Sequence, residues 1–207
     1  MVRRKNRAAV NAEKCVPPKT AGERVFETAR ELFYRHGIRA VGVDQIVQQA
    51  GVTKPSLYRG FGSKDDLVAS CLEASRRETG AALDAVAGSS TADPADQLRA
   101  IMRFFADAIV KPNFRGCAIS NAAVEFPDRG YPGRVVMENC KADLRRRVSE
   151  LAHKLDVPDP GELADGLILI IEGAMVSHHI FGCNGPSASI LATADALINA
   201  RTGAIAG

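Results

Sequence analysis

The sequence lacks tryptophan, and aromatic residues make up only 5% of its 207 residues. A large binding site built from stacked aromatic rings is therefore not favoured. The five cysteines are scattered without a C-x-x-C pair, which argues against a disulfide framework and against a zinc site. No run of 18 or more uncharged apolar residues occurs, so no transmembrane helix is expected. The N-terminal segment has cations but no continuous apolar stretch, so we expect no secretory signal and a cytoplasmic location.

Motifs that would indicate catalysis are also missing. Residues 185–189 read GPSAS, which departs from G-x-S-x-G at the last position. His178 and His179 are adjacent, so on a helix they project in different directions and cannot share a metal ion. Neither a phosphate-binding loop nor H-E-x-x-H is present. We predict that the protein is not an enzyme and that it uses no metal and no cofactor.

Charge is distributed unevenly along the chain. Residues 1–64 contain thirteen Lys and Arg against five Asp and Glu, whereas residues 65–207 contain fourteen against nineteen. A basic N-terminal third on a mildly acidic remainder indicates a nucleic-acid-binding head on a body that does not bind nucleic acid. Residues 1–19 are basic and show no apolar period, which predicts a disordered arm. That arm fits a role along DNA phosphates and a role as a solubilising tail equally well.

Apolar residues recur at helical spacing along most of the chain, and capping residues, Pro or Gly mark the breaks. Thr20 and Glu23 have the spacing of a capping box, and residues 159–162 repeat that pattern around a proline. Residues 163–181 are apolar nearly all round, which requires burial on more than one side. No β-strand pattern interrupts these segments. The predicted fold is all-α, with about nine helices.

Residues 43–67 are the most informative stretch, and they read VDQIVQQAGVTKPSLYRGFGSKDDL. The first eight place apolar residues on one face of a short helix, and Gly51 supplies the positive φ that ends it. Thr53 is a suitable N-cap and Pro55 fits only a first turn, so a second helix begins near Lys54. Two short helices joined by a glycine turn are typical of the helix-turn-helix, although a helical hairpin with a solvated face has the same pattern.

The full string resembles the signature of the TetR/AcrR family of transcriptional regulators. The matching residues are Ala50, Gly51, Val52, Thr53, Leu57, Tyr58, Phe61, Ser63 and Lys64. Between Arg59 and Phe61 the family usually carries an aromatic or polar residue, and this sequence has Gly60. That departure removes a phosphate contact and loosens the end of the helix.

The resemblance implies an N-terminal three-helix DNA-binding head and a C-terminal helical body for ligand binding and dimerisation. We expect a basic arm at 1–19, the head at 20–66 and the body at 67–207. The resemblance further implies a homodimer that binds an inverted-repeat operator in double-stranded DNA and responds to a small-molecule effector. Repression is the family's usual mode. The alternatives are an activator or a sequence-independent architectural DNA-binding protein, with an enzyme ranked last.

The second helix of the motif, together with Lys64 at the start of the next helix, supplies the expected DNA contacts. Base contacts are expected from Lys54, Pro55, Ser56 and Arg59, and phosphate contacts from Thr53, Tyr58 and Lys64. A structural role competes for two of them, because Thr53 can cap the helix and Tyr58 can pack with a wet hydroxyl.

The body is expected to hold a pocket for the effector among its middle helices. Its candidate lining residues are Phe105, Cys117, Asn121, Phe126, Met137, Glu172, Met175 and His178, each of which also fits a position in the core. Asn121, Glu172 and His178 are the most informative, because a polar side chain among apolar neighbours needs a partner and a ligand can supply one.

Overall fold

The computed structural model describes residues 18–89 and 92–203, so the predicted basic arm lies almost wholly outside the described residues. Within those ranges every regular element is helical, which confirms the all-α prediction. The helices are α1 (Ala21–His36), α2 (Val43–Ala50), α3 (Lys54–Phe61), α4 (Lys64–Ser89), α5 (Pro94–Ile109), α6 (Ala118–Glu125), α7 (Arg134–Ala152), α8 (Pro160–Phe181) and α9 (Ile190–Thr202).

The first three helices form the head, and local sequence signals fix their ends. Thr20 caps α1 through a complete capping box with Glu23, and Gly37 follows its last turn at φ 86°. Gly51 ends α2 in the left-handed region at φ 62°, where a side chain would be strained. Ser63 accepts a hydrogen bond from the backbone N–H of Asp66 at 3.0 Å and so caps the start of α4.

The apolar residues form two clusters, and the cluster around the head is closed by helices of the body. Its buried residues come from α1 to α4 and also include Ile119 and Ala122 of α6 and Met137 of α7. The second cluster joins α4, α5, α7, α8 and α9. Because α6 and the first turns of α7 pack on the head, a movement of these elements reaches the head directly. The predicted boundary between residues 66 and 67 remains a prediction.

Two expected helix starts differ in detail from the structure. Thr53 and Asp159 occupy N-cap positions, but neither side chain makes a capping hydrogen bond. The Thr53 hydroxyl instead lies 3.0 Å from that of Ser56, and Asp159 has a left-handed backbone, with φ 49°. A short 3-10 helix, Pro186–Ser189, directly precedes α9. Spacing predicted the position of both caps, but not the missing side-chain bond at Thr53 or the left-handed backbone at Asp159.

Helix α8 has one face in the core and another open to solvent. Leu163, Leu167 and Ile171 are fully buried, whereas Leu169 and Val176 are 72% and 58% exposed. By length and composition alone α8 could cross a membrane, but a helix from a protein core meets the same criteria, and acidic residues interrupt the apolar run of α8. An exposed apolar face of this length calls for a covering surface.

Candidate DNA-binding surface and effector cavity

Helix α3 packs on the head through its apolar side and exposes its polar side to solvent. Leu57 is fully buried in the head, and Phe61 is partly buried against the same cluster. The residues on the outward side are exposed: Thr53, Lys54, Pro55, Tyr58 and Arg59, with Ser56 half-buried. Six of the seven predicted DNA-contacting residues therefore lie on α3 or at its first turn, on one accessible surface.

The angle between α2 and α3 is fixed by bonds around the turn. Val52 donates its backbone N–H to the Val47 carbonyl at 3.0 Å. Lys54 forms an ion pair with Asp44 at 2.6 Å across the two helices. The guanidinium of Arg24 in α1 donates to the Ala50 carbonyl at 3.1 Å and so closes the end of α2.

Lys64, the seventh predicted contact, is turned into the protein. Its ammonium donates to the Ile38 carbonyl at 2.7 Å and lies 5.9 Å from the centre of the Phe33 ring. Burial lowers the pKa of this lysine. These contacts suit Lys64 to hold α4 against the loop after α1, whereas a phosphate contact would require the side chain to leave them.

Glu125, at the last turn of α6, joins the body to the head. Its carboxylate accepts the backbone N–H of Ile38 at 3.0 Å and that of Arg39 at 2.8 Å. A Cβ atom at Gly37 would lie 3.1 Å from this carboxylate, so the glycine leaves room for the approach. Sequence analysis missed Glu125, because its partners are backbone groups more than 80 residues away.

A second set of hydrogen bonds connects the head to the residues just before the start of α6. The Tyr34 hydroxyl of α1 donates to the Gly116 carbonyl at 3.1 Å and accepts the Arg115 backbone N–H at 2.8 Å. Both ends of α6 are therefore hydrogen-bonded to α1 or to the loop that follows it.

A cavity of about 520 Å³ opens in the body between α4, α5, α7 and α8, beside the start of α6. This volume is in the usual range for small-molecule sites. Phe104, Phe105 and Leu144 supply apolar surface, and the charged lining residues are four basic and four acidic. The basic ones are Arg76, Arg77, Lys141 and Arg147, and the acidic ones are Glu78, Asp84, Asp143 and Glu172. The balance suits a ligand without net charge.

The structure brings four of the eight predicted effector-binding residues to this cavity, namely Phe105, Cys117, Glu172 and Met175. It also adds Lys141 of α7. The Lys141 ammonium lies 2.5 Å from Glu172 Oε1, and Ser120 donates to Glu172 Oε2 at 2.9 Å. Burial opposes the charge on Lys141, but the Cys117 sulfur and the Glu172 carboxylate raise its pKa above the usual value. Lys141 is therefore an ammonium at neutral pH.

The other four predicted residues lie elsewhere, which corrects their grouping with the cavity. Met137 is 2% exposed within the head cluster, because the first turns of α7 pack toward the head. Phe126 stacks on Tyr131 with ring centres 4.0 Å apart. The Asn121 amide donates to the Arg115 carbonyl at 2.8 Å. His178 Nδ1 lies 3.3 Å from the Ser187 hydroxyl, so this histidine has a partner inside the protein.

No group of three or more His, Cys, Asp or Glu within residues 18–89 and 92–203 has an arrangement that could hold a metal ion.

Comparison with known proteins agrees with this architecture. Residues 25–71 match the family described as bacterial regulatory proteins, tetR family. The crystal structure of SCO4454, a TetR-family transcriptional regulator from Streptomyces coelicolor, is similar with a TM-score of 0.83 and 32% identity. That similarity covers 88% of this chain and 96% of SCO4454.

Two curated proteins are also similar. The HTH-type transcriptional repressor SCO4008 of S. coelicolor is 39% identical over 56 residues, which are 27% of this chain and only 29% of that repressor. The transcriptional regulator AcuR of Cereibacter sphaeroides is 25% identical over 164 residues, 75% of each protein. Given the similarity to SCO4454 over most of both chains, this chain belongs to the TetR family of bacterial transcriptional regulators and carries the family's helix-turn-helix DNA-binding domain.

Proposed function

We propose that this protein is a homodimeric repressor that binds an inverted-repeat operator through α3 and releases it when a small molecule occupies the body cavity. The observation that most supports this proposal is the exposure of α3. Leu57 on one side of the helix is fully buried, whereas Lys54, Tyr58 and Arg59 on the other side face solvent. Repression is proposed because it is the usual mode of the family; among similar proteins SCO4008 is named a repressor, and FasR of Mycolicibacterium smegmatis is named an activator.

Within this proposal the residues on α3 divide into two roles. Arg59 and Lys54 reach base edges, with Pro55 and Ser56 beside them, because cationic and small polar groups read the major groove. Thr53 and Tyr58 hold phosphates and set the register of the helix on DNA. Lys64 positions the start of α4, given its bond to the Ile38 carbonyl.

The exposed face of α8 supports a two-fold dimer. Leu169, Val176 and Ile180 are each more than half exposed and follow one another at helical spacing, with Gly173 between them. The exposed positions of α9 carry small residues, namely Ala192, Thr193, Ala196 and Ala200. Two copies packed through α8 and α9 would bury this surface in a four-helix bundle. A two-fold dimer places two α3 helices on half-sites about one DNA turn apart or slightly more.

Substitution of the α8 face tests the dimer. Val176→Glu places a charge on the proposed interface, and Val135→Glu is a matched control on α7, because these valines are 58% and 63% exposed. We expect Val176→Glu to be monomeric by analytical ultracentrifugation and the control to remain dimeric. Dimers in both variants would place the interface elsewhere.

DNA binding is tested on an operator selected from genomic fragments. Fluorescence anisotropy at ~150 mM salt suppresses sequence-independent attraction. Arg59→Ala should lose ~1–3 kcal/mol of binding free energy, as expected for an arginine that contacts a base. Arg103→Ala on α5 removes the same charge from an exposed site on the body and should leave the affinity nearly unchanged. Equal losses in both variants would mean that α3 does not read the operator.

A further inference from the structure

A thiol, an ammonium and a carboxylate meet at one side of the cavity. Cys117 Sγ lies 3.5 Å from Lys141 Nζ, and the same ammonium forms an ion pair with Glu172. Cys140 also lines the cavity, so two thiols from two elements face the same space. The DNA-binding function uses none of these side chains.

Cys117 differs from the other described cysteines in its surroundings. Burial raises the pKa of Cys71 to about 12 and that of Cys140 to about 11, so both remain thiols at neutral pH. Cys183 is exposed at the surface. Cys117 is half-buried, lines the cavity and has an ammonium as its neighbour. Reactive cysteines occur in partly exposed sites with a cation beside the sulfur, and Cys117 has both features.

We propose that Cys117 is a nucleophile and that the cavity binds small, neutral electrophiles of the α,β-unsaturated carbonyl class. These compounds form a covalent bond with the Cys117 sulfur. The Cys117 thiol gives up its proton to solvent, and the sulfur attacks the β-carbon, so that a C–S bond forms as the C=C π bond breaks. That electron pair moves to the α-carbon through the enolate, and the α-carbon takes a proton from Lys141 or from water. Lys141 regains its proton from solvent, so the step needs no oxidant or reductant.

The position of Cys117 gives such an adduct a route to the DNA-binding head. Cys117 is the N-cap residue of α6, and Ser120 one turn later is bonded to Glu172. Glu125 at the far end of this eight-residue helix holds the backbone of Ile38 and Arg39 just before α2. A group attached to Cys117 therefore displaces α6 against the head. This consequence rests on the proposed function, whereas the reactivity of the thiol does not.

Labelling of each cysteine tests the reactivity without DNA. Full-length protein is treated with methyl vinyl ketone at pH 7, and peptide mapping by mass spectrometry gives a rate for each cysteine. Cys117 should react at least as fast as the exposed Cys183 and much faster than Cys140. A Cys117 that reacts no faster than Cys140 would overturn the proposal.

Two variants test whether the Lys141 ammonium, rather than access to the cavity alone, makes Cys117 reactive. In Lys141→Met the Cys117 rate should fall below that of Cys183, whereas Glu172→Gln leaves the ammonium beside the sulfur and should preserve the rate. An unchanged rate in Lys141→Met would exclude the role of the ammonium. If Lys141→Met does not fold, as judged by circular dichroism, the wild-type ranking of the cysteines decides the matter.

A second arm measures the effect on DNA binding. Operator affinity is compared before and after treatment, with Cys117→Ser measured against its own untreated sample. The treated wild type should lose at least tenfold in affinity and treated Cys117→Ser should not. Complete labelling of Cys117 with unchanged affinity would refute the electrophile as an effector. If the untreated protein binds no operator, the proposed function fails, and the labelling still decides the reactivity of Cys117.

Discussion

Removal of the Glu125 carboxylate should measurably weaken the joint between body and head. The carboxylate accepts two backbone N–H groups, from the buried Ile38 at 3.0 Å and from the exposed Arg39 at 2.8 Å. A hydrogen bond to a charged group contributes ~1.5–3 kcal/mol, and solvent replaces part of it at exposed sites. With ~1.5 kcal/mol for the first bond and about half of that for the second, Glu125→Ala should lower the free energy of unfolding by ~2 kcal/mol.

Urea denaturation at a fixed protomer concentration measures this loss, because the stability of a dimer depends on concentration. Glu125→Gln keeps one acceptor oxygen and should lose about half as much free energy of unfolding as Glu125→Ala. Glu31→Ala is the matched control, since Glu31 is exposed and has only a surface ion pair with Arg35 at 3.2 Å. Such pairs contribute ~0–1 kcal/mol. If Glu125→Ala costs no more than Glu31→Ala, the carboxylate does not hold the head.

Three further changes test other parts of the structure by urea denaturation. Leu57→Ala should cost ~2–5 kcal/mol, because Leu57 is fully buried beneath α3, and a smaller cost would mean that α3 is loosely packed. Gly60→Ala should stabilise by ~0.5–1 kcal/mol, since an added Cβ meets nothing within 4 Å and the position is helical; destabilisation would contradict this. The Arg30 guanidinium holds the pKa of Glu78 in the folded protein below its usual value of about 4.5. Below that pH the unfolded state binds more protons than the folded state, so the free energy of unfolding falls until the pH passes the pKa of the folded protein. Glu78→Gln should flatten that acid slope, and an identical slope would show that the Arg30 pair contributes nothing.

Local signals made the head predictable. The bounds of α2 follow from its apolar spacing and from Gly51, and those of α3 follow from Thr53 and Pro55. Each signal lies within a few residues of the boundary that it sets. The exposure of the outward side of α3 follows as well, because burial of Leu57 determines which side remains free.

The cavity could be predicted only in part, because its charged groups pair across distant segments. Lys141 lies among charged residues on α7, and its sequence gives no sign that Glu172, 31 residues later, faces it. Helical spacing identified Met137 as buried, but spacing does not tell which of two apolar clusters a residue joins. The packing of α7 on both clusters decides that, and it depends on the whole fold.

The proposal that the protein binds its operator as a dimer is tested most directly by changing the sequence of one operator half-site. An operator selected from genomic DNA is compared by anisotropy with a copy in which one half-site is scrambled. We predict two protomers per intact operator and a large loss of affinity for the scrambled copy, because each α3 needs its own half-site. Equal affinity for the two DNAs at ~150 mM salt would contradict the account and would indicate sequence-independent binding.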